Sequence, residues 1–142
     1  MKKIYFAAPL FCDGEKEFNQ KITDLLQKAG YEVFLPQRDG VLAAELTGKT
    51  ESEKIKTVFS KDTGAIEKCD ILFFVLDGRI PDEGACVELG IAYASGKRCI
   101  GLRTDVRALQ NGLSLNPLIA GCFEKVFDDV GQLESYLINT EL

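Results

Sequence analysis

The sequence predicts a doubly wound α/β domain, in which a flavodoxin-like or Rossmann-like parallel sheet of five strands carries helices on both faces. Short apolar runs rich in β-branched and aromatic residues alternate along the chain with longer segments whose apolar residues recur at helical spacing. One run, CDILFFVLDG (69–78), is apolar on both faces, which is typical of a central parallel strand. The 142 residues show no internal repeats or linkers and therefore predict one domain over 1–142.

The first half of the chain contains two predicted strands and two predicted helices. Phe18, Ile22 and Leu25 recur at helical spacing in a segment that stops at Gly30, a residue type that commonly ends helices. The predicted elements are a strand over 2–10, a helix over 14–30, a strand over 31–36 that ends at Pro36, a loop with a short helical piece over 37–48, and a polar helix over 49–68.

The second half continues the alternation after the central strand. Its predicted elements are a helix over 82–96, a strand over 97–104, a loop over 104–116, a short helix over 116–121, a strand over 124–129 and a helix over 130–142. Sheets of this kind bind ligands at the carboxyl ends of their strands, where the strand order reverses. In a flavodoxin-like order, that crevice lies between the first and third strands.

The charge and hydropathy of the chain exclude several classes of partner. A net charge of −5 argues against a nucleic-acid polymer, whose phosphates require a basic face. No apolar run approaches the roughly 18 residues of a membrane span, so we expect no membrane insertion. The opening run MKKIYFAAPLF is too short for a signal peptide and is interpreted as the first strand.

The cysteine and histidine content of the chain restricts the kinds of catalytic and metal site that it can form. The cysteine count is five, an odd number, and no two cysteines have CxxC spacing, so a disulfide framework or a zinc site is not expected and a reducing cytoplasm fits best. The chain has no histidine, which excludes Ser-His and Cys-His nucleophiles and histidine-ligated metals. Catalysis would have to use carboxylates, Tyr, Lys, Cys or backbone groups.

Glu88 is the most informative single residue. It is the one carboxylate in the middle of the almost wholly apolar helix ACVELGIAYA (85–94), where an ionised side chain is costly unless it is paired or needed. Two interpretations remain open from the residues alone: a solvent-facing strip, or a carboxylate held over small residues that leave room for a ligand. Asp82 lies six residues earlier, and two carboxylates in different environments are what glycosidic bond cleavage uses.

Other carboxylates near the strand ends have structural explanations. Asp82 and Glu83 can cap and charge the start of their helix, and Asp13 can begin the first helix in the same way. Asp77, before Gly78, is explained as a turn residue. Neither GxGxxG nor GxxxxGK[ST] occurs, so the dinucleotide and P-loop fingerprints are absent from the sequence.

Five segments in order resemble the nucleoside 2-deoxyribosyltransferase family, over residues 2 to about 127. They are KKIYFAAPLF, VFLPQRDG, KDTGAIEKCDILFFVLDG, PDEGACVELGIAYASGK and NPLI, of which the stretch around PDEGACVELG is the most specific. The resemblance implies that Glu88 attacks C1′ of a 2′-deoxyribonucleoside, displaces the base and forms a 2-deoxyribosyl-enzyme that a second base attacks. It also implies that Tyr5 holds the nucleophile and that Asp82 exchanges protons with the nucleobase.

The same resemblance implies four substrate-binding residues. Asp62 and Gln37 would contact the base, Phe11 would supply an apolar wall, and Asn116 would reach the sugar from a neighbouring subunit of a homo-oligomer, a dimer or a hexamer. Several residues that the resemblance singles out have simpler explanations when taken alone. These are a core position for Tyr5, a solvated helix face for Asp62, an ordinary loop for Gln37 and a helix cap for Asn116.

Three further kinds of function remain as alternatives. A 2′-deoxynucleoside 5′-monophosphate N-hydrolase would use the same carboxylates, but its phosphate would need donors near the end of the first strand, where AAPLFCDGEKEF offers two acids and no Arg or Ser before Lys16. A receiver-like signalling domain with Asp77 as acceptor would need an acidic pair where Ala7, Ala8 and Pro9 stand. A non-catalytic ligand-binding domain is the third alternative.

The function predicted from the sequence is therefore a cytoplasmic, cofactor-independent transferase. It would exchange bases between 2′-deoxyribonucleosides and free nucleobases in nucleoside salvage.

Overall fold

A computed structural model describes residues 1–105, 107 and 115–142 of the chain, and most of the predicted loop over 104–116 lies outside this range. Strands and helices alternate as the sequence predicts. The strands are β1 (Lys3–Ala7), β2 (Glu32–Phe34), β3 (Ile71–Val75), β4 (Arg98–Leu102) and β5 (Lys125–Phe127). The helices are α1 (Asp13–Lys28), α2 (Pro36–Asp39), α3 (Glu51–Lys68), α4 (Glu83–Ala94), α5 (Pro117–Ala120) and α6 (Val130–Asn139), with a 3-10 turn at Ala43–Glu45.

The five strands form one parallel sheet in the order β2-β1-β3-β4-β5. This order confirms the predicted doubly wound class and places the reversal of strand order between β1 and β3. Tyr5 pairs with Leu72 in the register of these two strands. The carboxyl ends of β1 and β3 are therefore adjacent, which creates the crevice where such sheets bind ligands.

Two apolar layers cover the sheet, one on each face. Residues such as Phe6, Phe73 and Leu102 pack beneath α1 and α6, whereas Tyr5 and Leu72 point to the other face, beneath α3 and α4. Alternate residues of one strand point to opposite faces, so all five residues of β3 are buried. The uninterrupted apolar character of this strand in the sequence has this origin.

Helix α3 is only partly supported by the rest of the chain. It begins at a capping box in which the Thr50 amide donates to the Glu53 carboxylate at 2.8 Å and the Glu53 amide donates to Thr50 Oγ1 at 3.3 Å. Ile66, near its C-terminal end, is its only fully buried residue, whereas Ile55 and Phe59 are 60% and 58% exposed. The N-terminal half of α3 thus presents an apolar surface that no other described element covers.

The structure refines the sequence prediction mainly at element ends. The strands are shorter than predicted because their outer residues lie outside the hydrogen-bonded ladder, and the helical piece predicted within 37–48 is a short helix that starts at Pro36 followed by the 3-10 turn. Gly30 has a φ of +95°, a left-handed conformation suited to the residue that ends α1. None of the described helices combines the length and the apolar character that a membrane-crossing segment requires.

Candidate active site

Helix α4 places Glu88 beside the sheet. Its buried residues Ala85, Leu89 and Ala92 recur at helical spacing and pack on the sheet, and Glu88 lies on the adjacent flank of the helix, half-buried. The Tyr5 hydroxyl on β1 donates a hydrogen bond of 2.7 Å to Glu88 Oε1. The carboxylate is therefore held towards the interior, and it is not part of a solvent-facing strip.

Tyr5 is a rigid partner for this carboxylate. Its side chain is fully buried and its ring stacks on Phe34 at a centroid distance of 5.5 Å. Burial raises the pKa of the Tyr5 phenol, and the neighbouring Glu88 charge raises it further. The hydroxyl consequently keeps its proton and remains a hydrogen-bond donor.

Burial and neighbouring charges make Glu88 a weak acid. Burial, the largest cause, raises the pKa of Glu88 to about 8, the Tyr5 hydrogen bond lowers it, and the carboxylates of Asp62 and Asp82 raise it. Burial also raises the pKa of Asp62. The carboxylates of Asp62 and Asp82 thus both act on Glu88, and a carboxyl group perturbed by burial and neighbouring charges is common in catalytic sites.

Asp82 caps helix α4. Its Oδ1 accepts a hydrogen bond of 2.9 Å from the Ala85 amide, as predicted for a residue at this position. One oxygen of the carboxylate is thereby fixed to the helix start. Asp82 thus lies at the N-terminal end of α4, near enough to Glu88 in the middle of the helix for its charge to raise the Glu88 pKa.

A cleft of about 580 Å³ opens above Glu88 between α3 and α4. Its walls are mostly apolar and come from residues that include Ile55, Val58, Phe59 and Asp62 of α3 and Gly84, Val87, Glu88 and Ile91 of α4. Individual residue chemistry did not identify Val58 or the half-buried Lys54 as parts of this wall. A signal for them exists in the sequence, because positions 54, 58 and 62 are four residues apart and share one helix face.

The other three predicted residues do not join this cluster within one chain. Gln37 donates to the Lys16 carbonyl at 2.9 Å and accepts from the buried Asn19 amide at 3.0 Å, so its amide links α1 to α2. Phe11 is 76% exposed. Asn116 is exposed, and its Oδ1 accepts from the Leu118 amide at the start of α5. Their roles towards a substrate stay predictions.

Within the described part of the chain, no group of three or more His, Cys, Asp or Glu side chains is arranged to hold a metal ion.

Asp77 fastens the loop that leads to Asp82. Its Oδ1 accepts from the amides of Thr104 at 2.6 Å and Asp105 at 2.9 Å, and its Oδ2 accepts from the Thr104 hydroxyl. Gly78, which follows it with a φ of +123°, donates to Asp105 at 3.3 Å. The turn residue predicted from the sequence thus joins the ends of β3 and β4.

We expect Asp77→Ala to lower the free energy of unfolding by about 2 kcal/mol, because three donors lose a charged acceptor. Asp77→Asn should lose less than about 1 kcal/mol, since its carbonyl can accept from both amides while its NH₂ donates to the Thr104 hydroxyl. Urea unfolding of the three proteins measures both effects. Equal losses in the two variants would contradict the proposed hydrogen-bond role.

Known structures share this fold. A 2-deoxyribosyltransferase from Bacillus psychrosaccharolyticus has 27% identity and a TM-score of 0.74, with 94% of this chain and 91% of that chain covered. A conserved protein from Enterococcus faecalis V583 has 24% identity and a TM-score of 0.81, with 97% and 98% covered. A CMP N-glycosidase from Clostridium botulinum has 19% identity and a TM-score of 0.60, with 96% and 99% covered. At these lower identities the last two show the fold alone.

A comparison with curated proteins gives no match. The family model described as nucleoside 2-deoxyribosyltransferase, in contrast, matches residues 4–133, which include both Tyr5 and Glu88. Because this match spans most of the 142 residues, the chain belongs to the nucleoside 2-deoxyribosyltransferase family.

Proposed function

We propose that the protein exchanges the nucleobase of 2′-deoxyribonucleosides by double displacement, with Glu88 as the nucleophile. The observation that carries this proposal is the half-buried Glu88 carboxylate, held by the Tyr5 hydroxyl at 2.7 Å and lining an apolar cleft. A carboxylate fixed in this way can stabilise the positive charge that develops on the sugar when the glycosidic bond breaks.

In the first step, a Glu88 oxygen forms a bond to C1′ while the bond from C1′ to the base nitrogen breaks. The electron pair of that bond goes to the base, which takes up a proton from the acid form of Asp82. A substrate without a 2′-hydroxyl reaches the oxocarbenium-like transition state more easily. The products of this step are the free base and a 2-deoxyribosyl ester of Glu88.

In the second step, a nitrogen of another base attacks C1′ on the face that the first base left. The bond from C1′ to the Glu88 oxygen breaks, its electron pair returns to the carboxylate, and the incoming base gives its proton to Asp82. Two inversions retain the β configuration. Asp62, which influences the Glu88 pKa from α3, would contact the base.

We favour nucleosides over nucleotides because carboxylates outnumber cations among the charged residues of the cleft. Glu51, Asp62 and Glu88 line it, against the single cation Lys54 among the described residues that line it. The structure does bring Arg107 near the end of β1, where it lines a small cavity with Pro9. Its guanidinium, however, is paired with Asp105, with an Nε to Oδ1 distance of 2.9 Å, which weakens it as a receptor for a 5′-phosphate.

We further propose that the enzyme is a homo-oligomer, a dimer or a hexamer, of the cytoplasm. The exposed apolar side chains of Ile55, Phe59 and Val87 border the cleft, and a second copy that covered them would keep water from the ester. Such a copy would also supply Asn116 to the sugar, and Phe11 and Gln37 would complete the base pocket. All five cysteines are free, which agrees with a reducing compartment.

The test is chromatography of the wild-type protein incubated with deoxyinosine or thymidine and free adenine. We expect deoxyadenosine to accumulate together with hypoxanthine or thymine. Free base and 2-deoxyribose without deoxyadenosine would identify a hydrolase, for which deoxynucleotides would be the next substrates. If no glycosidic bond is broken in either substrate, the proposal is wrong and a ligand-binding role gains support.

A further inference from the structure

Lys54 is a charged residue of the cleft to which neither the fold nor the proposed chemistry assigns a task. It belongs to the N-terminal half of α3, and its side chain is half-buried although most of its neighbours along the helix are exposed. Within the described part of the chain, its ammonium group forms no ion pair and no hydrogen bond. A half-buried cation beside an apolar wall is more costly than a solvated one unless it meets an acceptor.

The position of Lys54 relative to Asp62, the carboxylate of α3 that acts on Glu88, follows from helix geometry. It lies eight residues before Asp62 on the same face of α3, a separation of about 12 Å along the helix axis. Val58 lies between them, four residues from each, and forms an apolar part of the same wall. Asp62 and Glu88 therefore lie at one end of an apolar strip, and Lys54, with the exposed Glu51 one turn before it, lies at the other.

A nucleoside whose C1′ lies at Glu88 would place its base along this strip. The far edge of the base, which carries the exocyclic groups, would then point towards Lys54. An ammonium group has three hydrogen-bond donors and no acceptor, so it can donate to an exocyclic oxygen. It cannot form a hydrogen bond with an exocyclic amino group that is itself a donor.

We propose that Lys54 is a specificity-determining residue that favours bases with an oxo group at this edge, such as 6-oxopurines and 4-oxopyrimidines, over their amino counterparts. This inference rests on the proposed base exchange. The preference should appear in the rate of bond breaking as well as in binding. As the bond from C1′ to the base breaks, its electron pair delocalises onto the oxo group, and a cation in apolar surroundings stabilises that charge more than water does.

The experiment measures the release of base in a single turnover, without an acceptor base, from deoxyinosine and from deoxyadenosine. We expect Lys54→Met, which keeps the side-chain length, to slow hypoxanthine release at least about tenfold and adenine release less than about threefold. Lys54→Arg should restore most of the preference for hypoxanthine. Lys56→Met is the matched control, because Lys56 is an exposed lysine of the same helix outside the cleft wall, and it should leave both rates unchanged.

Equal losses with both nucleosides, or no loss with either, would overturn the role of Lys54 while leaving base exchange intact. Wild-type protein that releases neither base would instead contradict the proposed function. If the wild type releases neither base, calorimetric titration of the wild type and Lys54→Met with free hypoxanthine and free adenine still tests whether Lys54 favours the oxo base. Tighter binding of hypoxanthine by the wild type, lost in the variant, would support the inference, and any other result would overturn it.

Discussion

Replacing Glu88 by alanine is expected to abolish base exchange, with a fall in kcat/KM of at least about a thousandfold. The variant lacks the oxygen that bonds to C1′ and the negative charge that stabilises the oxocarbenium-like transition state, and no other described group occupies the position of this carboxylate. Chromatography of the exchange products measures the loss. Mass spectrometry of the acid-quenched wild type, mixed with a nucleoside and no acceptor, should show a mass increase of one 2-deoxyribosyl group on the peptide that contains Glu88.

Glu83→Ala is the matched control for this variant, since Glu83 is an exposed carboxylate in the first turn of the same helix. It should retain most of the wild-type activity and acquire the same adduct. The nucleophile assignment fails if Glu88→Ala folds normally and still exchanges bases, or if the adduct forms on another residue. A variant that lost exchange but kept tight nucleoside binding would show that binding and chemistry depend on different groups of the same cleft.

Local patterns in the sequence predict the architecture well because the spacing of apolar residues within each element depends on which of its faces are buried. The run of five buried residues Ile71–Val75 is uninterrupted, which only a strand covered on both faces requires. The strict alternation of strands and helices then restricts the sheet to parallel connections, whereas the order of the strands comes from the structure. Element ends were less predictable, since they depend on caps such as the pair formed by Thr50 and Glu53.

The site was less predictable because it depends on contacts between distant parts of the chain. Helix α4 is apolar on nearly all sides, so its pattern does not say which face is buried: Leu89 is buried, whereas Val87 and Tyr93 are 59% and 56% exposed. Tyr5 and Glu88 are 83 residues apart in the sequence, and no local pattern predicts their hydrogen bond. Only the family resemblance predicts that they interact.

Gln37 is a residue whose contacts in the structure are with the fold, although the sequence resemblance implies a contact with the substrate. Its amide bonds to Asn19 and to the Lys16 carbonyl, two groups of α1 that no pattern around residue 37 reveals. A polar residue in a loop can serve the fold or the substrate, and only its neighbours in space decide between them. Lys54 is the converse case, since an ordinary helix lysine in the sequence turns out to line the cleft.

Tyr5→Phe is expected to lower kcat/KM at pH 7 by about 10-fold to 100-fold and to move its pH dependence upwards. In the wild type the ionisation of Glu88 should make the rate rise as the pH approaches about 8, because the nucleophile must be ionised and the pKa of Glu88 is about 8. The Tyr5 hydrogen bond lowers this pKa, so its loss raises it and reduces the ionised fraction at pH 7. The range corresponds to the roughly 1.5–3 kcal/mol of a hydrogen bond to a charged group.

The shift of the profile separates this effect from damage to the fold. Phenylalanine keeps the ring that stacks on Phe34, so the packing beneath α3 and α4 should persist. Kinetics from pH 6 to 10 should be measured on the wild type, Tyr5→Phe and the exposed control Tyr93→Phe. Only the pH profile of Tyr5→Phe should be displaced. Its loss of kcat/KM relative to the wild type should shrink as the pH rises, because Glu88 then ionises in spite of its higher pKa. A deficit of the same size at every pH would mean that Tyr5 does not act through the Glu88 proton, and its hydroxyl would then have to act by orienting the carboxylate towards C1′.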